Sequence, residues 1–333
     1  MSEEESPKST EMTTTGTVEV VEVRTSTENI ETSAETQFEP GKTRKSFNGI
    51  DSAIKCMISF FTIIRLDVGQ AEFDAMERNF WLVPVLGFIN GLVAMLVCLI
   101  LGLFGVSILV QAVAALVSMY VFSKFLHFDG LTDFGDGMIV SSGKREDHIR
   151  ALKDSLIGAG GFGVALVVVL LTIACYAAIG EATYTINLNS SYDVHMIFGI
   201  GFVAFCVEIL VKNAQVAAAA FGEPGNGMAS RQVRQTDMDS LVRSTLVTIV
   251  ALLIATLIGC GLASFADFKP DFPVIEIIVL FIVSVLLSIG TGVAMAKIAN
   301  RNFGFVNGDI LGATNEISRV VILLVALMLM GLW

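Results

Sequence analysis

Three aspartates, Asp129, Asp133 and Asp136, stand at i, i+4 and i+7 in the stretch HFDGLTDFGDG, residues 127–137. On a helix that spacing puts all three carboxylates on one face within about two turns. Like charges so close repel, and oxygen-only ligands without His or Cys suit a hard cation such as Mg2+. That ion engages one or two carboxylates and keeps the rest of its shell for water and substrate phosphates. The bland alternative is the solvated, acidic end of a membrane helix. Gly130, Gly135 and Gly137 weaken a helix and allow close backbone approach, which fits a ligand loop as well as a turn. Downstream, KDSLIGAGG (153–161) offers Lys153 as a point charge for phosphate and Ser155 as a helix cap or a donor to a phosphoryl oxygen. The same residues also make an ordinary helix start followed by glycines that let membrane helices pack.

Further polar groups interrupt apolar sequence. Glu208 and Lys212 are i and i+4 within VEILVKNAQVAAAA; they either neutralise each other or face a polar cavity, because a lone charge in a span costs several kcal/mol. FGEPGNGMASRQVRQTD adds Glu223, Arg231 and Arg234, in what reads as a plain basic loop. NRNFGFVNGDILGATNE (300–316) adds Arg301, Asn307, Asp309 and Glu316, which alone would be a turn and a helix cap. His127, beside the acids, either orients one of them or is an interfacial ring; with His148 and His195 it is too dispersed for a His-based site. The five cysteines show no C-x-x-C and read as small core residues. There is no nucleotide-binding G-x-x-x-x-G-K-[ST] loop, zinc spacing or hydrolase nucleophile elbow.

The elements that must position these groups are membrane helices. Of the 333 residues, 54% are hydrophobic and only 16% charged, with a mean hydropathy of +0.73, outside the range of soluble domains. The net charge of −11 comes largely from residues 1–41, where ten Glu face only Lys8 and Arg24. That Thr-rich acidic tail has too little apolar surface to offset chain entropy and is expected to be disordered; it lacks the pattern of a signal peptide. The sequence therefore divides into a tail, 1–45, and a membrane-embedded domain, 46–333. Apolar runs at about 82–104, 106–126, 158–180, 196–220, 243–264, 273–296 and 317–333 predict an all-α bundle of about seven spans. Residues 51–66 read as an interfacial or re-entrant helix. With the N-terminus inside, the inner segments carry nearly all Lys and Arg, including Lys144, Arg145, Arg150, Arg231, Arg301 and Arg319, whereas the outer loops carry only Lys269. The polar loops 127–157, 221–242 and 297–316 then share the cytoplasmic face.

The three polar stretches in this order resemble the cobalamin synthases, the adenosylcobinamide-GDP ribazoletransferases, which are integral membrane enzymes of vitamin B12 assembly. His127, Asp129, Gly130, Leu131, Asp133, Asp136 and Gly137 match that family's first motif; Lys153, Asp154, Ser155, Gly158 and Gly161 match its second. Gly308, Asp309, Leu311, Gly312, Ala313 and Glu316 match its third. Similarity runs from about residue 50 to the end. Arg65 is displaced from the family's early motif, and Lys212 stands for its usual arginine in the fourth span. The resemblance implies that α-ribazole or its 5′-phosphate attacks adenosylcobinamide-GDP and expels GMP, at a cell membrane and on its cytoplasmic side. It further implies Mg2+ on Asp129, Asp133 and Asp136, a proton taken by one of these or by Asp154, and Lys153 on the leaving phosphate. Ser155, Lys212, Glu223, Arg301, Asp309 and Glu316 are expected to contact substrate. No nucleic-acid partner is expected, and a homo-oligomer is left open. Two other classes share some of these features. CDP-alcohol phosphotransferases share Asp129-Gly130, but Asp133 and Phe134 stand where they have Ala-Arg. A secondary transporter would spread its acids between the midplane and both faces.

Overall fold

The computed structural model describes residues 49–185, 194–265 and 274–331, so the expected acidic tail lies outside the described residues. Among the described residues there are twelve α-helices and no β-strand. Two short helices come first, α1 (Ile50–Phe61) and α2 (Gln70–Arg78). On α1 the buried residues Ala53, Cys56, Met57 and Phe61 recur at helical spacing, so one face packs inward as the amphipathic pattern predicts. Six helices are long and apolar enough to cross a membrane. They are α3 (Val83–Leu103, preceded by a 3₁₀ turn), α7 (Ala159–Thr185), α8 (Val194–Phe221), α10 (Met238–Phe265), α11 (Val274–Asn302) and α12 (Gly308–Met330). The chain is a polytopic membrane protein. Exposed apolar rows such as Val113, Val117 and Val121, or Ile278, Ile282 and Leu286, are what a lipid-facing helix surface requires.

The bundle is built round α8. Its span is 83% buried, against 22% for α11, and it touches α3, α7, α10, α11 and α12. Small residues allow this: Ala214, Ala217, Ala218 and Ala219 are buried on α8, and a Cβ on Gly91 of α3 would stand 2.6 Å from the carbonyl oxygen of Phe205.

Two expected boundaries move. The run 106–126 is helical only as α4 (Ile108–Phe122); the chain then bends by 94° into α5 (Leu126–Ile139). Lys124 and Phe125 make that bend in the left-handed region, at φ 55° and 56°. Residues 127–157, expected to be a polar loop, are instead α5 and α6 (Arg145–Leu152), with His148 bridging the carbonyls of Gly137 and Ser142. Glycines argue against a helix at 126–139 in isolation, but Gly130, Gly135 and Gly137 are buried against neighbouring elements, and tertiary packing overrides propensity. The last span begins at Gly308 rather than 317, capped by Asn307, whose side-chain oxygen accepts the amide of Ile310 at 3.1 Å. Arg319, expected in an inner loop, is consequently a mid-helix residue with 1% exposure.

Among the cysteines, Cys56, Cys98 and Cys175 are buried and Cys260 is exposed. Burial, helped by the nearby Glu72 and Glu77 carboxylates, pushes the Cys56 thiol up to about 11. Arg231 is more than a loop charge: from α9 (Met228–Gln235) it reaches Glu77 at 3.6 Å and Asp74 at 3.8 Å, tying α9 to α2.

Candidate active site

Helix α5 collects the three motifs. On one side, both oxygens of Asp136 accept backbone amides at 2.7 Å, one from Gly158 and one from Gly161. A carboxylate there complements the unsatisfied amides and positive end of α7, so the cap expected of Ser155 is supplied by Asp136, 22 residues upstream of Gly158. On the other side, α5 lies directly on the start of α12: a Cβ on Gly130 would stand 2.7 Å from the carbonyl oxygen of Asp309. Gly130→Val is therefore expected to push Asp309 away from Asp133 and to lower turnover at least tenfold, about 1.4 kcal/mol of barrier, through lost alignment. Turnover measured against a Gly143→Ala control, where a Cβ meets open space, tests this.

The contacts bring Asp129, Asp133 and Asp309 to one mouth, where they act on one another electrostatically. Asp129 is exposed; Asp133 and Asp309 are half-buried. None of the three has a Lys, Arg or His nitrogen within 4 Å among the described residues. Asn307 donates to Asp309 at 2.7 Å. Lys153 is exposed at the same mouth, 5.7 Å from the ring centre of Phe305, and its charge bears on Asp309. Arg145 donates to the backbone carbonyl of Arg301 at 3.3 Å, tying the start of α6 to the end of α11.

Other expected residues lie elsewhere or are engaged locally. Asp154 accepts the amide of Leu156 at 3.0 Å and closes its own turn, and Ser155 is exposed beside it. Glu223 is exposed, in a loop whose backbone is held by Asn300 and Val306. Lys212 and Glu316 are fully buried behind the mouth in a closed polar network.

Of the two readings of Glu208 and Lys212, direct pairing is not what forms: both join one buried polar network. Glu208 instead binds Arg319, at 2.6 and 3.0 Å, and takes a hydrogen bond from Asn90 at 2.6 Å. Arg319 also pairs with Glu316, which accepts from the Tyr120 hydroxyl at 2.8 Å. Lys212 donates to Asn315 at 2.7 Å and lies against Nε2 of His127 at 2.5 Å. His127 is 5% exposed and stacked on Phe61, so it is neither interfacial nor at the acids. Two acids and two bases balance in the bundle core, and α5, α8 and α12 are locked in register. Sequence reading missed Arg319, Asn90, Tyr120 and Asn315 as members; the available signal was the i, i+3 spacing of Glu316 and Arg319 in an otherwise apolar run.

Among the described residues no three His, Cys, Asp or Glu side chains converge closely enough to hold a metal by themselves. The expected trio is split, since Asp136 is occupied by α7. The remaining set, two half-buried carboxylates and an exposed one without a protein cation, suits a hard divalent ion that completes its shell with water and phosphate oxygens.

Fold and mouth together define a polytopic membrane protein with a cluster of carboxylates, edged by a lysine, at one end of the bundle. The sequence profile described as cobalamin-5-phosphate synthase matches residues 53–327, and the chain belongs to that family. It is 29% identical over 282 residues to the adenosylcobinamide-GDP ribazoletransferase of Methanocella arvoryzae, covering 82% of this chain and 94% of that protein. It is 28% identical over 286 residues to the protein of the same name from Pyrococcus furiosus, covering 84% of this chain and 100% of that one. No solved structure matches.

Proposed function

We propose that this membrane transferase of late cobalamin synthesis joins α-ribazole or its 5′-phosphate to adenosylcobinamide-GDP at the mouth formed by α5, α7 and α12. The meeting of three sequence-distant motifs on α5 carries this reading, because the residues the family motifs share converge there. A ribose hydroxyl of the nucleoside forms a new bond to the phosphorus nearer the cobinamide, the bond from that phosphorus to the bridging oxygen breaks, and GMP leaves with that oxygen. The hydroxyl proton passes to Asp129, the exposed carboxylate of the set. Asp133 and Asp309 are the residues that would hold Mg2+, which supplies positive charge to the diphosphate oxygens. Lys153 meets the charge that grows on the leaving GMP phosphate. Asp136 holds the start of α7, and with it the 153–157 turn, against α5. The concentration of Lys and Arg on this face supports a cytoplasmic site in a cell membrane.

Purified protein in lipid vesicles, given adenosylcobinamide-GDP, α-ribazole 5′-phosphate and Mg2+, is expected to release GMP in step with a corrinoid product. CMP release from a CDP-alcohol without any corrinoid product would overturn the assignment.

A further inference from the structure

We propose that the cleft beside the α4–α5 bend holds the nucleoside substrate, its aromatic base against Phe60 and Phe73 and its 5′-phosphate on Lys124. Lys124 then sets the preference for phosphorylated over free nucleoside. The substrate named here rests on the ribazoletransferase reading above.

The cleft is open on one side, has a volume of about 370 Å³ and is lined by Ser59, Phe60, Val68, Phe73, Lys124 and Leu126. That is a volume and lining suited to a small planar ligand, mostly apolar with one cation. Phe60 and Phe73 meet edge to face, with ring centres 6.2 Å apart. The wall is preformed: Ser59 donates to the carbonyl of Leu66 and accepts its amide, each at 3.1 Å, fixing the 62–68 strap that carries Val68.

The bend aims the lysine. Lys124 and Phe125 are the non-glycine residues at positive φ among the described residues, and they close the C-terminal end of α4 in a left-handed turn. Hydrogen bonds from Phe125 to the Tyr120 carbonyl at 2.7 Å and from Lys124 to that of Val121 at 3.2 Å hold them there. The conformation turns Lys124 across the cleft to the Ser59 carbonyl, at 3.3 Å. No carboxylate lies within 4 Å of that ammonium among the described residues, so its charge is available to an anion. Leu126, at the cleft floor, and Asp129 are i and i+3 on α5. A nucleoside seated here brings its ribose to the carboxylate that takes the proton. An acyl chain would need a long apolar groove, whereas this lining is six residues with a lysine among them.

The test compares the full-length chain with Lys124→Met and Phe73→Ala at saturating adenosylcobinamide-GDP. Lys124 is exposed, and methionine keeps its length, so folding is preserved. Lys124→Met is expected to raise KM for α-ribazole 5′-phosphate about tenfold, the scale of one charge-assisted contact, and to leave KM for free α-ribazole unchanged. Phe73→Ala should raise KM for both nucleoside forms alike and leave KM for adenosylcobinamide-GDP unchanged. Equilibrium dialysis of labelled α-ribazole 5′-phosphate, without the second substrate, separates the cleft from the reaction. Binding that is lost in Lys124→Met supports the cleft even if no GMP is ever released. Wild-type protein that does not bind the probe overturns it. So does an equal KM change for both nucleoside forms in Lys124→Met, or a tightly bound phospholipid that Lys124→Met removes without altering any KM.

Discussion

Asp129→Asn is expected to lower kcat for GMP release by about 10³-fold, the middle of the range for a lost general base. The size follows from position. Asp129 is exposed, its side chain has no ion pair within 4 Å among the described residues, and Asn keeps its shape. The substitution removes the charge and proton affinity while disturbing no packing, so the thermal midpoint of the detergent-solubilised protein should stay within error of wild type. Steady-state rates at saturating substrates, with the midpoint measured on the same preparation, check both halves. Full turnover in Asp129→Asn would remove this carboxylate from the reaction.

Arg319→Met should act the opposite way, on the fold before the chemistry. Glu208 and Glu316 are each 0% exposed and share this one guanidinium. Removing one partner of a buried ion pair costs about 3–5 kcal/mol, because the remaining charge stays desolvated. Against a total stability of about 5–15 kcal/mol, that loss removes a large share of the margin and is expected to lower both the thermal midpoint and the amount of protein that accumulates in the membrane. Charge, not shape, is the cause, so Arg319→Met combined with Glu208→Gln, which leaves Glu316 to balance the buried Lys212, should recover much of the accumulation. Immunoblots of membrane fractions and melting of solubilised protein test the pair of variants. Normal accumulation and an unchanged midpoint for Arg319→Met alone would show that the core network contributes nothing to stability.

Hydropathy made the long spans legible because lipid imposes length and composition on α3, α7, α8, α10 and α11. It failed where polar residues are paired inside the bundle. Asn315, Glu316 and Arg319 look like the end of a loop in one dimension; as a neutralised network they belong to a helix nine residues longer at its start. The same blindness hid α5, whose glycines are a weakness alone and a contact surface against Asp309 and Phe303. At the mouth, the i, i+4, i+7 spacing rightly put three acids on one helix. Spacing carries no information about partners, so it missed that Asp136 faces the amides of Gly158 and Gly161. Asp309 takes its place beside Asp129 and Asp133, through an approach across the whole domain that local pattern does not encode.

The pairing of Glu208 with Arg319 also has a timetable. The two residues are 111 positions apart, and Arg319 arrives on the final helix. At about 5–20 residues per second, the growing chain carries Glu208 without its counter-charge for roughly 5–20 s. Throughout that interval α8 is an incompletely neutralised membrane segment, so the core network closes only when α12 has joined the bundle.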